Sequence, residues 1–263
     1  MKLAQIYEKC NELAPQTLSN EYCTRYNAYD NSGILIETGE DIRSVVFSLD
    51  FSLQAIKLAI ETGANLIITH HPAMYAKIND IRTSAFDPTD KKIVQCIKND
   101  ISVISMHLNL DCAKDGIDEN LAIALGKKGE EKIMHPLSVG GYGRVYDVET
   151  ISLQEFVEKT KNSLNAKRVL TYANGAQTLT RVASFCGAGA DEETVRFAKE
   201  QGAQVIVSAD FKHHILTLAK ENGLNAVVLT HYCAEQYGFE KFYQKIRQSI
   251  SLPCTLCTDD TLL

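Results

Sequence analysis

The sequence predicts an α/β protein of two related halves, each a pseudo-duplicated βαβαβ unit, on three observations. First, "SVVFSL" (44–49), "NLIIT" (65–69), "ISVISM" (101–106), "RVASFC" (181–186), "QVIVSA" (204–209) and "NAVVLT" (225–230) are short β-branched runs. Strands buried on both faces read this way. Second, helical patterns separate them: "SLQAIKLAIETG" (52–63), "KKIVQCIKND" (91–100), "DEETVRFAKEQG" (191–202) and "HHILTLAKENG" (213–223). Gly63, Gly202 and Gly223 stand where a helix's last turn stops. Third, "AIKLAIETGANLIIT" (55–69) aligns without a gap on "TVRFAKEQGAQVIVS" (194–208). Each copy is followed by a histidine-bearing stretch, a helix and a strand, so duplication explains the match better than a generic helix-glycine-strand phrase. The first half is expected over 1–128, with 229–263 returning to complete it, and the second over 129–228. Residues 129–180, with the glycine-rich "SVGGYGRVYD" (138–147), form the connection into that second half.

Composition narrows the function classes. With 263 residues, 45% apolar and 23% charged, the chain is long enough for real cores and ordinary for a soluble protein. A net charge of −6, with no basic arm, leaves no electrostatic footprint for nucleic acid. No apolar run approaches membrane-spanning length, and "MKLAQIYEKCNELAP" offers no signal-peptide core. A cytoplasmic protein without nucleic-acid or membrane partners is expected. The eight cysteines are scattered, which suits reduced thiols rather than a disulfide scaffold. Cys254-Thr-Leu-Cys257 has metal or redox spacing, but a zinc site would need a second pair. Two packing residues in a terminal strand are the plainer reading.

Open α/β sheets place their sites at the C-terminal ends of strands. There the first half offers His70, His71, His107 and Asp111, and the second offers His231 and Glu235, with Asp210 and His214 behind. Imidazoles and carboxylates suit first-row divalent metals such as Zn, Fe or Mn. More good donors than one ion needs suggest two ions sharing ligands. Adjacent strand residues point to opposite sides, so His70 and His71 are expected to serve different ions. His231 and Glu235 form an i, i+4 pair able to converge, and Asp111 would add an anionic ligand from a loop. Each also has a bland reading: a histidine pair in a surface loop, Asp111 capping the helix-like "DGIDENLAIAL", Glu235 as a first-turn charge. Their joint placement favours a metal site.

These residues carry a resemblance to a known family, the dinuclear-metal proteins called GTP cyclohydrolase I type 2 homologues (NGG-interacting-factor-three-like). "YDNSGILIE" (29–37), "IITHHP", "HLNLD", "GGYGRV", "VASFCGAGAD", "SADFKHH" and "THYCAEQYG" follow one another in the family's order across nearly the whole chain. One phrase departs: alanine precedes the Asp of "SADFKHH", where the family often has glycine. The resemblance implies a two-domain subunit with the metal site between its halves. It implies two divalent ions on His70, His71, Asp111, His231 and Glu235, with Glu235 bridging. It also implies a toroidal homohexamer, a trimer of dimers.

Two function classes follow. One is a metal-dependent hydrolase acting on a nucleotide such as GTP, by opening its imidazole ring, or on another phosphoester. His107 and His214 are then the candidates for proton transfer, because imidazole titrates near neutrality. The other is a non-catalytic metal-handling (chaperone or storage) or regulatory protein. A positive centre favours an anionic small molecule or nucleotide as partner. "CGAGAD" (186–191) could cradle a phosphate at a helix N-terminus, though a tight turn needing small residues is the better reading of so short a motif.

Overall fold

The computed structural model describes residues 1–174 and 176–263; Gly175, inside the expected connection, lies outside the described residues. In chain order the elements are α1 (Leu3–Leu13), α2 (Gln16–Tyr26), β1 (Gly33–Ile36), β2 (Val45–Ser48), α3 (Leu53–Thr62), β3 (Leu66–Thr69), α4 (Thr89–Lys98), β4 (Ser102–Ser105) and α5 (Leu108–Cys112). Then come α6 (Ile117–Ala124), β5 (Lys128–Pro136), β6 (Gly141–Ser152), α7 (Leu153–Leu164), β7 (Val169–Tyr172), β8 (Thr178–Ser184), α8 (Glu192–Glu200), β9 (Val205–Ser208), α9 (His213–Glu221), β10 (Asn225–Leu229), α10 (His231–Ser249) and β11 (Cys254–Cys257). The chain is a mixed α/β protein with two sheets, as expected. Among the described residues no helix is long and apolar enough to cross a membrane.

Two compact units divide the chain: Met1–Ala113 with Phe239–Thr258, and Lys114–Gly238 with Asp259–Leu263. The expected boundaries at 128/129 and 228/229 therefore move to 113/114 and 238/239. The cause lies in α6. Its fully buried Asp118 accepts the backbone N–H groups of Gly143 at 2.9 Å and Cys186 at 3.2 Å, and pairs with Arg144. Those bonds tie α6 to the second sheet. Gly238 keeps the start of α10 there too, since a Cβ on it would come within 2.6 Å of Ile117 Cα.

The first unit's sheet runs β1-β4-β3-β2-β11, with β4, β3, β2 and β11 parallel and β1 antiparallel on β4. Val46, Ile67 and Val103 share a core with Ala55, Ile56 and Ala59 of α3 and Ile93 and Cys96 of α4. Such residues leave water on folding, and that removal drives the packing. Phe47 lies edge-on to Phe242 and Tyr243, at 6.4 and 5.1 Å between ring centroids. Ser52 Oγ accepts the Ala55 N–H at 3.0 Å to start α3, and Gly63, at φ 68°, stops it. The Cys254/Cys257 pair lies on a terminal strand, with Cys257 inside the core.

The second unit's sheet runs β5-β6-β8-β9-β10-β7. Parallel β8, β9 and β10 bury Ala183, Ile206 and Ala226 against Val195 and Ala198 of α8 and Ile215 and Ala219 of α9. Strand β7 pairs antiparallel beyond β10. The order β7-β10-β9-β8 thus repeats β1-β4-β3-β2, antiparallel outer strand included. The two sheets differ past that point, where one adds parallel β11 and the other the antiparallel β5/β6 hairpin.

Candidate metal centre

In the first unit the donors gather where β3 and β4 end. The N–H groups of His70 and His71 both bond to Leu49 O, at 3.1 and 2.9 Å, so the extended backbone stops at Thr69. Strand alternation stops with it. The two rings lie 4.9 Å apart between centroids, not on opposite sides as strand geometry predicts. One ring nitrogen from each of His70, His71 and His107 falls within 4.8 Å of the others. Asp111 stands in the helical turn α5 rather than in a loop, nearly buried, with Oδ1 3.5 Å from His70 Nε2.

Each imidazole is fixed through Nδ1. His70 Nδ1 donates to Met106 O at 2.8 Å, His71 Nδ1 to Asp50 Oδ1 at 2.7 Å, and His107 Nδ1 to Asp30 Oδ1 at 2.7 Å. A carbonyl or carboxylate accepts, so Nδ1 carries a proton, and the tautomer this selects has its lone pair at Nε2. Metal-binding histidines are oriented in this way. Asp30 also accepts from Ser19 and Ser32, at 2.5 and 2.6 Å. Burial alone would raise its carboxyl, but His107 and these hydroxyls outweigh that and hold it down to about 2. Burial likewise depresses His107, and the Asp30 bond with the charges of Asp111 and Asp30 reverses it, leaving the imidazole above its ordinary value.

The second unit repeats the device. His231 opens α10 and Glu235 follows one turn later, 97% buried, with Oε1 3.1 Å from His231 Nε2. Asp210 accepts from His231 Nδ1 at 2.5 Å. His107/Asp111 and His231/Glu235 share the i, i+4 spacing after the third parallel strand of their units. Gly187, at φ 55°, closes against this pair: a Cβ there would lie 2.3 Å from Glu235 Oε1 and 3.2 Å from His231 Nε2.

Two candidates stand apart from these donors. His214 is exposed on the first turn of α9 and joins no donor group among the described residues. Measured from the strand ends, His71 after β3 corresponds to Asp210 after β9, and His213-His214 come too late. The turn at 186–191 offers no open helix N-terminus either. Asp191 Oδ1 already accepts the Thr194 N–H at 2.8 Å, and Glu192 and Glu193 fill the first turn of α8 with negative charge. Its glycines serve close packing.

The donor chemistry fits a divalent ion. A ring lone pair at Nε2 of His70 faces an Asp111 oxygen, and one at His231 faces a Glu235 oxygen, acceptor against acceptor. A proton or a cation between them resolves the repulsion. Nitrogen and oxygen donors without thiolates suit Zn, Fe or Mn rather than a thiolate cluster; no cysteine joins the donor groups among the described residues. Sequence reasoning missed Asp50 and gave Asp30 no role. A signal existed for the first: Ser-x-Asp-Phe occurs at 48–51 and again at 208–211, and both aspartates hold an imidazole.

Comparison with known proteins identifies the family. The family model for Duf34/NIF3 (NGG1p interacting factor 3) matches residues 1–259. A GTP cyclohydrolase 1 type 2 homolog of Clostridium perfringens is 31% identical, over 95% of this chain and 93% of its own length. The homolog from Methanocaldococcus jannaschii is 30% identical over 96% and 97%. The solved structure of reduced HcgD from Methanocaldococcus jannaschii superposes with a TM-score of 0.84 at 29% identity, covering 97% of both chains. Ordered motifs, duplicated sheet and end-to-end matches together place the chain in the Duf34/NIF3 family.

Proposed function

We propose that the chain binds two divalent cations (Zn, Fe or Mn) through His70, His71, Asp111, His231 and Glu235, with Glu235 serving both, and that it is a metal-dependent hydrolase. The substrate class is a nucleotide such as GTP, opened at its imidazole ring with release of formate, or a related phosphoester. The observation that carries this reading is the pair of Nδ1-anchored histidines, His70 and His231, whose Nε2 atoms meet carboxylate oxygens. The relatives' designation as GTP cyclohydrolase 1 type 2 homologs supports the choice of GTP.

When bound, such ions supply Lewis-acid charge that lowers the pKa of water and stabilises developing negative charge. The chain's own contributions are orientation and proton movement. Asp50, Asp210 and Met106 O hold three rings in one tautomer. His107, anchored by Asp30 and only partly exposed, takes or gives a proton at Nε2. His214, on its exposed helical turn, is the second candidate for proton transfer. The homohexamer implied by the family resemblance belongs to the same proposal, and analytical ultracentrifugation reads it.

Elemental analysis of stripped and reconstituted protein is expected to give about two ions per chain, and a nucleotide and phosphoester panel to give metal-dependent turnover. Saturation at one ion ends the two-ion reading. Full loading without turnover, with ready transfer of the ions to an apo-acceptor, replaces the hydrolase with a metal-handling protein. His107→Ala should lower turnover by about 10²–10⁴-fold, the usual worth of a positioned acid or base, with metal content unchanged. If that variant instead loses metal, His107 is a ligand and not a proton carrier.

A further inference from the structure

A cavity of about 540 Å³ opens beside His71, lined by residues of the first unit alone, among them Asp50, Phe51, Tyr75, Lys77 and Lys92. Its size lies within the range of small-molecule sites. Lys92 is the unusual member. Its ammonium is half-buried, donates to Phe51 O at 2.7 Å and lies 5.1 Å over the Phe51 ring centroid. Among the described residues no carboxylate reaches it at ion-pair distance. Burial pushes the ammonium below its ordinary value against the opposing charges of Asp87 and Asp50.

The acids around the cavity keep their charge, but each has its direct partner elsewhere than at Lys92. Asp50 accepts from His71, Asp80 pairs with Arg82 at 3.0 Å, Asp87 accepts the Thr89 N–H at 2.8 Å, and Asp90 accepts the Arg82 N–H at 2.7 Å. Asp87 and Asp50 act on this ammonium only through space, so a half-buried cation with no carboxylate in direct contact leaves a place for an anionic group to complete it. An ammonium has three N–H donors, and the Phe51 carbonyl takes one.

We propose that this cavity is an anion-binding substrate pocket in which Lys92 grips a phosphate group, with Tyr75 and Phe51 supplying aromatic surface for the rest of the ligand. The proposal rests on the hydrolase reading of the adjoining histidines and extends it with a phosphate-bearing substrate. Phe51 follows Asp50 in the chain and Asp50 holds His71, so the phosphate site and the metal-facing imidazole are linked through two consecutive residues. Tyr75 lies edge-on to His107 at 6.2 Å, which brings the aromatic wall up to the same cluster.

Calorimetry on metal-loaded protein tests it with GTP, guanosine and inorganic pyrophosphate as probes. Lys92→Gln should weaken GTP and pyrophosphate at least about tenfold, the range of a lost hydrogen bond to a charged group. Guanosine affinity, metal content and melting temperature should stay as in the wild type. Lys92→Arg, which keeps the charge, should bind GTP within about threefold of wild type by the same reasoning. Wild-type affinity of Lys92→Gln for GTP overturns the pocket, as does equal weakening of guanosine. The two readings separate cleanly. Lys92-dependent binding without turnover keeps the pocket and ends the hydrolase, whereas GTP turnover with an unchanged KM in Lys92→Gln does the reverse.

Discussion

Glu235→Gln is expected to strip metal from the protein while leaving the fold intact. Glu235 is the acid proposed to serve both ions, and a carboxamide keeps its shape while losing its charge and one acceptor oxygen. Partners one shell further out are already worth about 10–100-fold in metal affinity, so losing a shared ligand should cost at least about 100-fold at both ions. Bound metal should fall below one ion per chain after dialysis. His71→Ala, by contrast, should weaken mainly one ion. The metal-free variant should melt at or above the wild-type temperature, because the substitution removes a buried carboxylate held close to His231 Nε2. What disappears is the rise in melting temperature on adding metal, which for the wild type at about 100 times Kd amounts to roughly 2.7 kcal/mol of linkage. Titration decides the matter. Wild-type affinity at both ions in Glu235→Gln removes the bridge.

Much of this site was legible because its signals are local. Strand-ending histidines and the His231/Glu235 spacing are readable wherever a β-branched run gives way to polar residues. The duplicated order of strands was legible for the same reason, since helix, glycine and buried strand recur in register. What escaped was set by distance in space. Asp50 and Asp30 lie 21 and 77 residues from the histidines they anchor, and nothing in their neighbourhoods says which ring they will meet. Side-chain direction escaped too. The alternation rule assigned His70 and His71 to opposite sides, and two hydrogen bonds to Leu49 O cancel it by ending the strand one residue sooner. The place of His214 on an exposed helical turn is likewise a matter of packing that its motif does not announce. The unit boundary moved because one buried carboxylate on α6 reaches partners that only the folded chain supplies.

That carboxylate gives the largest expected effect on stability. Arg144→Met should destabilise the second unit by about 3–5 kcal/mol, the usual result of breaking a buried ion pair by removing one partner. Arg144 is 1% exposed and Asp118 is fully buried. Arg144 also reaches Glu131 Oε1 at 3.3 Å and Gly141 O at 3.1 Å. Methionine fills the volume but leaves Asp118 charged among apolar neighbours. Adding Asp118→Asn should recover part of the loss, because an amide oxygen can still accept from Gly143 and Cys186 without a bare charge. A double-mutant cycle by urea unfolding should therefore show a favourable coupling of at least about 1 kcal/mol, within the range for residues in direct contact. The consequence should reach the metal-facing pair. Asp118 Oδ1 holds the Cys186 N–H, and the next residue is Gly187, whose α-carbon packs against Glu235 and His231. Loosening that turn should weaken metal binding in Arg144→Met even well below its melting temperature. If Arg144→Met unfolds at the wild-type urea concentration, or if Asp118→Asn adds to the damage instead of relieving it, then the pair is not what holds α6 to the second sheet.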